Sequence, residues 1–265
     1  RSEDLRRSFN SLTWSAGVNY SVGQWILKAN VGKSFRVPIP KELGTDGVNY
    51  HIFRYEKGNP GLNPEESYQL DAGIHWGNDR VTVQFDPYLN YFPNYIYMNP
   101  TPDYYEGLQW YYYTQSRVIR CGFELQADWK ILPSLDAELK GEYLYAEQLS
   151  GEKKGYTLPF STPWSADATL KYGFCRKKAG NEGFVALSLH VTGRQNRIVR
   201  PEKPTSGYYT INLNAGKDLA FGDRKLRLTL NAENLLNRKY YDHTSFYRLI
   251  DVPEPGRNVA LMATF

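Results

Sequence analysis

The chain has 265 residues, 41% of them apolar, and a formal net charge of only +4. No apolar run approaches the roughly 20 residues that a membrane helix needs, and the basic residues are dispersed, which excludes a helical membrane protein and argues against a nucleic-acid partner. Tyrosine is abundant, at 22 residues, while mean hydropathy is low, and that pairing favours many amphipathic strands.

Alternation begins near the amino end. Leu12, Trp14, Ala16, Val18 and Tyr20 share one face of a strand, against Thr13, Ser15, Gly17 and Asn19. A short turn at Ser21-Val22-Gly23 leads to a second strand with Trp25, Leu27, Ala29 and Val31 on its apolar face. The rhythm then breaks from Phe35 to Glu65. This long loop opens with Phe35-Arg36-Val37-Pro38, closes with Asn59-Pro60-Gly61-Leu62, and carries Tyr50, His51, Phe53, Arg54 and Tyr55 in its middle.

Strands resume at Tyr68, Leu70, Ala72, Ile74 and Trp76, and after a tight Gly77-Asn78-Asp79 turn at Val81, Val83, Phe85, Leu89 and Tyr91. A second long loop is expected over Pro93 to Tyr113, rich in Tyr104, Tyr105, Trp110, Tyr111, Tyr112 and Tyr113. Two further strands, Ile119 to Trp129 and Leu135 to Tyr145, flank a turn at Leu132-Pro133-Ser134. A third long connection, Glu147 to Pro159, precedes the strand of Trp164, Ala166, Ala168, Leu170 and Tyr172, and a short basic-and-glycine turn follows. Val185 to Val191, a loop from Gly193 to Gly207, and Tyr209 to Ala215 come next. Phe221-Gly222-Asp223 turns into the regular strand of Leu226, Leu228, Leu230 and Ala232, and a last loop, Asn234 to Gly256, leads to Val259, Leu261, Ala263 and Phe265.

About eleven strands thus alternate between short and long turns, the pattern of a transmembrane β-barrel with short periplasmic turns and long outer loops. The polar faces carry Lys28, Asp71, Glu124, Asp136, Lys140, Asp167 and Arg227, too much charge for a dry core and suited to a wet or plugged lumen. A soluble sandwich also alternates, but its short and long turns need not segregate. A passive porin- or adhesion-type barrel and a soluble carbohydrate-binding β protein are the competing functional classes. Cys121 and Cys175 have no metal spacing and read as small apolar fillers.

The segment Asn231 to Asp242, NAENLLNRKYYD, with Asn234 and Leu235 at its centre and a strand ending in Phe265 after it, resembles the end of a TonB-dependent outer-membrane receptor. The boxes Phe35-Arg36-Val37-Pro38 and Asn59-Pro60-Gly61-Leu62 resemble the paired FRAP-like and NPNL-like boxes of the same family. The resemblance implies a Gram-negative outer-membrane protein, an all-β antiparallel barrel of about 22 strands around a plug, and residues 1–265 as its carboxyl-terminal portion. It implies as partners a plug and first barrel half outside this sequence, the TonB complex acting through that plug, membrane lipid and a small-molecule ligand. The ligand would be a transported ferric siderophore or haem; no resident cofactor and no metal site are expected.

Candidate ligand contacts in the outer loops are His51, Tyr50, Arg54, Tyr104, Tyr105, Trp110, Tyr111, His243 and Arg248. The resemblance makes His51 a candidate haem ligand, because haem importers of this family carry an iron-binding histidine in that loop; the alternative is an ordinary surface histidine. The tyrosines and Trp110 are candidates to stack on a flat ligand, or else belong to an aromatic girdle. Arg194, Arg197, Arg200, Lys203, Lys239 and Arg248 would attract an anionic complex or lipopolysaccharide phosphates, or simply be solvated. No catalytic motif is present, so no enzyme activity is expected.

Overall fold

A computed structural model describes residues 8–174, 182–221 and 224–265. Cys175, most of the basic-and-glycine turn and the Gly222-Asp223 turn lie outside the described residues. The elements are β1 (Trp14–Val22), β2 (Trp25–Arg36), helix α1 (Pro40–Gly44), β3 (Asp46–Asn49), β4 (Arg54–Lys57), β5 (Glu65–Gly77), β6 (Val81–Tyr105), β7 (Leu108–Leu132), β8 (Leu135–Gln148), β9 (Ser165–Phe174), β10 (Gly183–Thr192), β11 (Tyr208–Phe221), β12 (Arg224–Glu233) and β13 (Asn258–Thr264).

All thirteen strands join one sheet. Eleven of them lie side by side in chain order, each antiparallel to the next, while β3 and β4 form a small hairpin whose β4 runs parallel to the outer part of β7. The sheet is open, with β1 and β13 at its edges. Its alternation follows the sequence: one face carries exposed Val18, Leu27, Leu70, Leu89, Leu139, Leu170, Leu187 and Leu261. On the other face Lys28, Asn30, Asp71, Asp86, Tyr88 and Glu124 line a hollow of about 570 Å³. The two histidines of this polar face are paired, His75 Nε2 to Asp86 at 2.7 Å and His190 Nδ1 to Asp167 at 2.8 Å. Aromatic pairs mark both ends of the apolar face: Trp25–Trp76 near the short turns and Tyr68–Tyr91 near the long ones.

The structure departs from the sequence reading at Pro93–Tyr113. This is not a loop but the outer half of one tall hairpin, because β6 and β7 run 25 residues each and turn over only Glu106 and Gly107. Both turn residues have positive φ, 50° and 80°, as a tight hairpin connection requires. The prolines that suggested a loop fall where the ladder shifts register, between Phe92 and Tyr95 and between Pro100 and Tyr104, where missing amide donors do least harm. The Phe35–Glu65 break is also partly ordered: Phe35 and Arg36 end β2, and α1, β3 and β4 fill its middle.

Deep burial is concentrated beyond the outer ends of the strands. Tyr111, Leu62, His243, Gln148, Glu56, Val118 and Val199 are the largest fully buried side chains described, whereas every residue of β1 is exposed.

Candidate ligand-binding vestibule

The two boxes form one clasp. The Arg36 guanidinium donates to both oxygens of Glu42 (3.0 and 2.9 Å) and to both of Glu65 (3.1 and 3.2 Å), tying the end of β2 to α1 and to the start of β5. Only a planar fork fits two carboxylates in this way; a lysine would not. Glu42 also accepts the Ile39 N–H at 3.0 Å, capping α1, and Glu65 accepts the Ile96 N–H at 2.7 Å. From the second box, the Asn59 N–H donates to the Glu42 carbonyl at 2.8 Å, and the Asn59 side chain accepts the Gly61 N–H at 2.9 Å. Leu62 is buried against Leu43 and Ile96. Gly58 sits so close to α1 that a Cβ would lie 2.7 Å from the Gly44 nitrogen.

A second cluster joins all five outer connections. Arg54 donates to Glu56 at 2.9 Å and lies 4.9 Å from the centre of the Tyr111 ring and 5.1 Å from that of Phe246. Arg248 donates to Glu202 at 2.9 Å and to the His243 carbonyl at 2.6 Å, and stacks over Phe160 at 4.9 Å. Glu202 also accepts the Phe160 N–H at 3.0 Å, and Phe160 meets Phe246 edge-on. His243 Nδ1 shares a hydrogen bond with the Thr205 hydroxyl at 3.0 Å. The Arg248 and Glu202 side chains are only 7% and 1% exposed, so this is a desolvated ion pair. Burial raises the Glu202 carboxyl above the usual range, against the pull of the Phe160 N–H and Arg248. Burial, helped by the Arg248 charge, lowers His243 to about 4.

Beside this hub the tip of the β6–β7 hairpin, loop 193–207 and loop 234–257 enclose a cavity of about 580 Å³. Tyr104, Tyr208, Tyr240 and Tyr241 supply aromatic wall, and Lys203, Lys239 and Arg248 supply positive charge, against Glu202 and Asp251. Tyr208 stacks on Tyr240 at 4.1 Å and donates its hydroxyl to Asp242 at 2.9 Å. Asn234 shapes the last of these loops. Its φ is 46°, its side-chain oxygen accepts the Arg238 N–H at 2.8 Å, and its amide donates to the Arg238 carbonyl at 2.8 Å. The neighbouring Leu235 N–H holds the loop to the Ile211 carbonyl on β11.

The candidate contacts therefore separate. Tyr104 and Arg248 reach the main cavity, and Tyr105 is exposed at the hairpin tip against Tyr55. Tyr50 and His51 are exposed and border a different, shallow hollow of about 460 Å³ beside Lys41, Asp46 and Glu56. Arg54, Tyr111 and His243 are buried in the hub, and Trp110 is half-buried beside Tyr55 and Lys57. Phe265 is 95% exposed at the sheet edge. Among the described residues no group of His, Cys, Asp and Glu could hold a metal ion. Sequence reasoning missed Tyr208, Tyr240 and Tyr241, whose only signal was the aromatic run within NAENLLNRKYYD and after Gly207.

The family model described as TonB dependent receptor-like, beta-barrel, matches residues 1–235. This chain belongs to the TonB-dependent receptor family. The fold agrees with solved structures of such receptors. The copper transporter OprC superposes with a TM-score of 0.73 at 20% identity, covering 92% of this chain and 36% of that one. The FrpB iron transporter from Neisseria meningitidis gives 0.67 at 16%, with 95% and 38% covered. The closed form of the ferric-catecholate import receptor Fiu from E. coli K12 gives 0.63 at 17%, with 95% and 34% covered. The chain thus spans between a third and two-fifths of the length of these receptors. TonB-dependent receptors are outer-membrane receptors and transporters rather than enzymes, and the open antiparallel sheet is part of such a barrel.

Proposed function

We propose that this chain forms the carboxyl-terminal half of the barrel of an outer-membrane importer for a ferric siderophore, with a first barrel half and a TonB-coupled plug completing it. Lipid does not tolerate the open edges of β1 and β13, so the first barrel half is the natural neighbour of both. The observation that carries the ligand reading is the cavity of tyrosines and cations where three outer loops meet. A ferric catecholate complex is anionic and carries flat rings. Tyr104, Tyr240 and Tyr241 offer stacking faces, while Lys203 and Lys239 offer charge without a buried carboxylate to neutralise them. The volume, about 580 Å³, lies within the usual range for small-molecule sites. Fiu is titled a ferric-catecholate receptor and FrpB an iron transporter, which agrees with this class.

The test is titration of the full-length receptor in detergent with a ferric tris-catecholate, followed by tryptophan fluorescence. Lys203→Gln with Lys239→Gln should weaken binding by roughly tenfold to a hundredfold, less so in high salt. Saturable binding indifferent to both lysines would reject the cavity. Exposed His51 favours haem as the second reading, and a Soret change abolished by His51→Ala, without catecholate binding, would put haem first.

A further inference from the structure

The cations that line the vestibule are not alike. Lys203 and Lys239 have no carboxylate within 4.0 Å among the described residues, whereas Arg248 is held by a buried one. The Glu202 side chain is 1% exposed and borders the same cavity. Its Oε1 accepts both the Arg248 Nη2 donor at 2.9 Å and the Phe160 N–H at 3.0 Å, while Oε2 is buried and accepts no hydrogen bond. A buried carboxylate oxygen without a donor is costly while it carries charge, and a proton removes that cost. Arg248 is fixed on its other sides: it stacks over Phe160, and its Nε donates to the His243 carbonyl at 2.6 Å. Only its Nη1 is left without a hydrogen bond among the described residues.

We infer that Glu202 sets the charge the vestibule presents to its ligand: an anionic complex that reaches Arg248 places a proton on Glu202 Oε2, so that capture takes up a proton. This rests on the ligand reading proposed above. With Glu202 ionised the pair is neutral overall and attracts an anion weakly. An anion at Arg248 Nη1 puts two negative charges on one guanidinium in a desolvated corner, and a proton on Glu202 relieves the repulsion. The proton comes from solvent, an O–H bond forms at Oε2, and no bond of the ligand changes. Burial already raises this carboxyl above the usual range, so the ligand extends an existing bias. Of the groups that face the corner, Glu202 is the one placed to take the proton. Loop 234–257 supplies Arg248, and also His243, which burial keeps neutral and which does not border the cavity. β7 supplies the Tyr111 hydroxyl, pushed up to about 12 by burial and then by Glu202. Loop 37–64 supplies Arg54, already paired with Glu56, and loop 149–164 the Phe160 ring and N–H, neither of which titrates. Asp251, the other carboxylate of the cavity, accepts the Tyr241 hydroxyl at 2.9 Å. A group whose pKa rises on binding takes up protons, so affinity for an anion grows as pH falls between the free and bound values.

The test is calorimetry of the full-length receptor in detergent with ferric tris-catecholate, in phosphate and in Tris, whose different heats of ionisation report the protons exchanged. Between about pH 7.5 and 6 the wild type should take up part of a proton per ligand, and its affinity should rise by roughly tenfold for each unit by which binding raises Glu202. Glu202→Gln keeps an acceptor for Arg248 and Phe160 and should lose that uptake and that slope; His243→Gln should keep both. Protons that the complex itself exchanges are common to all the proteins and subtract out. Should Glu202→Gln fail the heat-dependent gel shift of a folded barrel, infrared difference spectra of the wild type decide. A carboxylic-acid C=O band should appear on binding and persist in Asp251→Asn, and its absence overturns the inference. A wild type that binds without proton uptake, or uptake untouched by Glu202→Gln, also overturns it and leaves the ligand reading standing. A wild type that does not bind the complex rejects both.

Discussion

The strand wall and the loop cap of this receptor are built on different physics. In the wall every strand is held by main-chain ladders, its side chains stand out on two faces, and β1 buries none of its residues. In the cap, connections far apart in sequence converge on a dry cluster of Arg54, Tyr111, Phe160, Glu202, His243 and Arg248. A lipid-soluble wall needs no core of its own, because membrane and lumen solvate its two sides. On the outer-membrane reading proposed above the cap stands in water, and its arms keep one shape by burying side chains against each other.

That contrast breaks most sharply at the ion pair. Arg248→Leu leaves Glu202 buried without its partner and should cost the cap about 3–5 kcal/mol, seen as lost hydrogen-exchange protection in loops 149–164, 193–207 and 234–257. Protection of β9 to β12 should stay unchanged; wall strands that open with the loops would show that cap and wall are one unit. Next comes Gly58→Ala, whose new Cβ meets backbone at 2.7 Å. It should cost about 1–3 kcal/mol, confined to the clasp of residues 37–64 and detected by protease cleavage there.

Acid probes the cap through His243 and Glu202. His243 is held neutral by burial, down to about 4 from 6.5, so its contribution to stability is complete above pH 6.5 and is lost as pH falls toward 4, about 3 kcal/mol at the acid limit. Glu202 acts with the opposite sign, since its raised carboxyl value favours the folded state at low pH and loses that contribution as pH rises through it. Loop protection should therefore fall between pH 6.5 and 5 in the wild type, whereas in His243→Gln only the opposing Glu202 contribution is left and protection should hold or rise as pH falls; an unchanged slope would show that His243 is not the group responsible. The smallest effect belongs to the wall. Leu170→Ala, on a side chain 52% exposed, should change stability by no more than about 0.5 kcal/mol in a detergent melt.

The same division decided what the sequence could reveal. Alternation is local, so each wall strand showed itself in about ten residues, and turn lengths then ordered the strands around a barrel. The β6–β7 hairpin stayed hidden because Pro93 and Pro100 look like loop residues unless the register shifts that absorb them are known. The hub could not be read at all. Glu202 and Arg248 stand 46 positions apart, and nothing local distinguishes a buried charge pair from two solvated loop charges. Arg54, Tyr111 and His243 carry chemistry that suits a ligand, and they occupy the hub because the same aromatic and cationic groups also pack loops. The boxes around Arg36 and Asn59 were legible as a motif, while their physical reason, one guanidinium shared between Glu42 and Glu65, needed the fold.

The proposed function is import of an anionic ferric complex through the tyrosine–lysine vestibule. It is tested most directly by uptake of radioactive iron, supplied as ferric tris-catecholate, into cells that express the full-length receptor as their only importer of that complex. Uptake should stop when the proton gradient is collapsed and should fall at least several-fold in the Lys203→Gln, Lys239→Gln variant at equal surface level. Uptake that persists without the gradient, or that ignores both lysines, would contradict it.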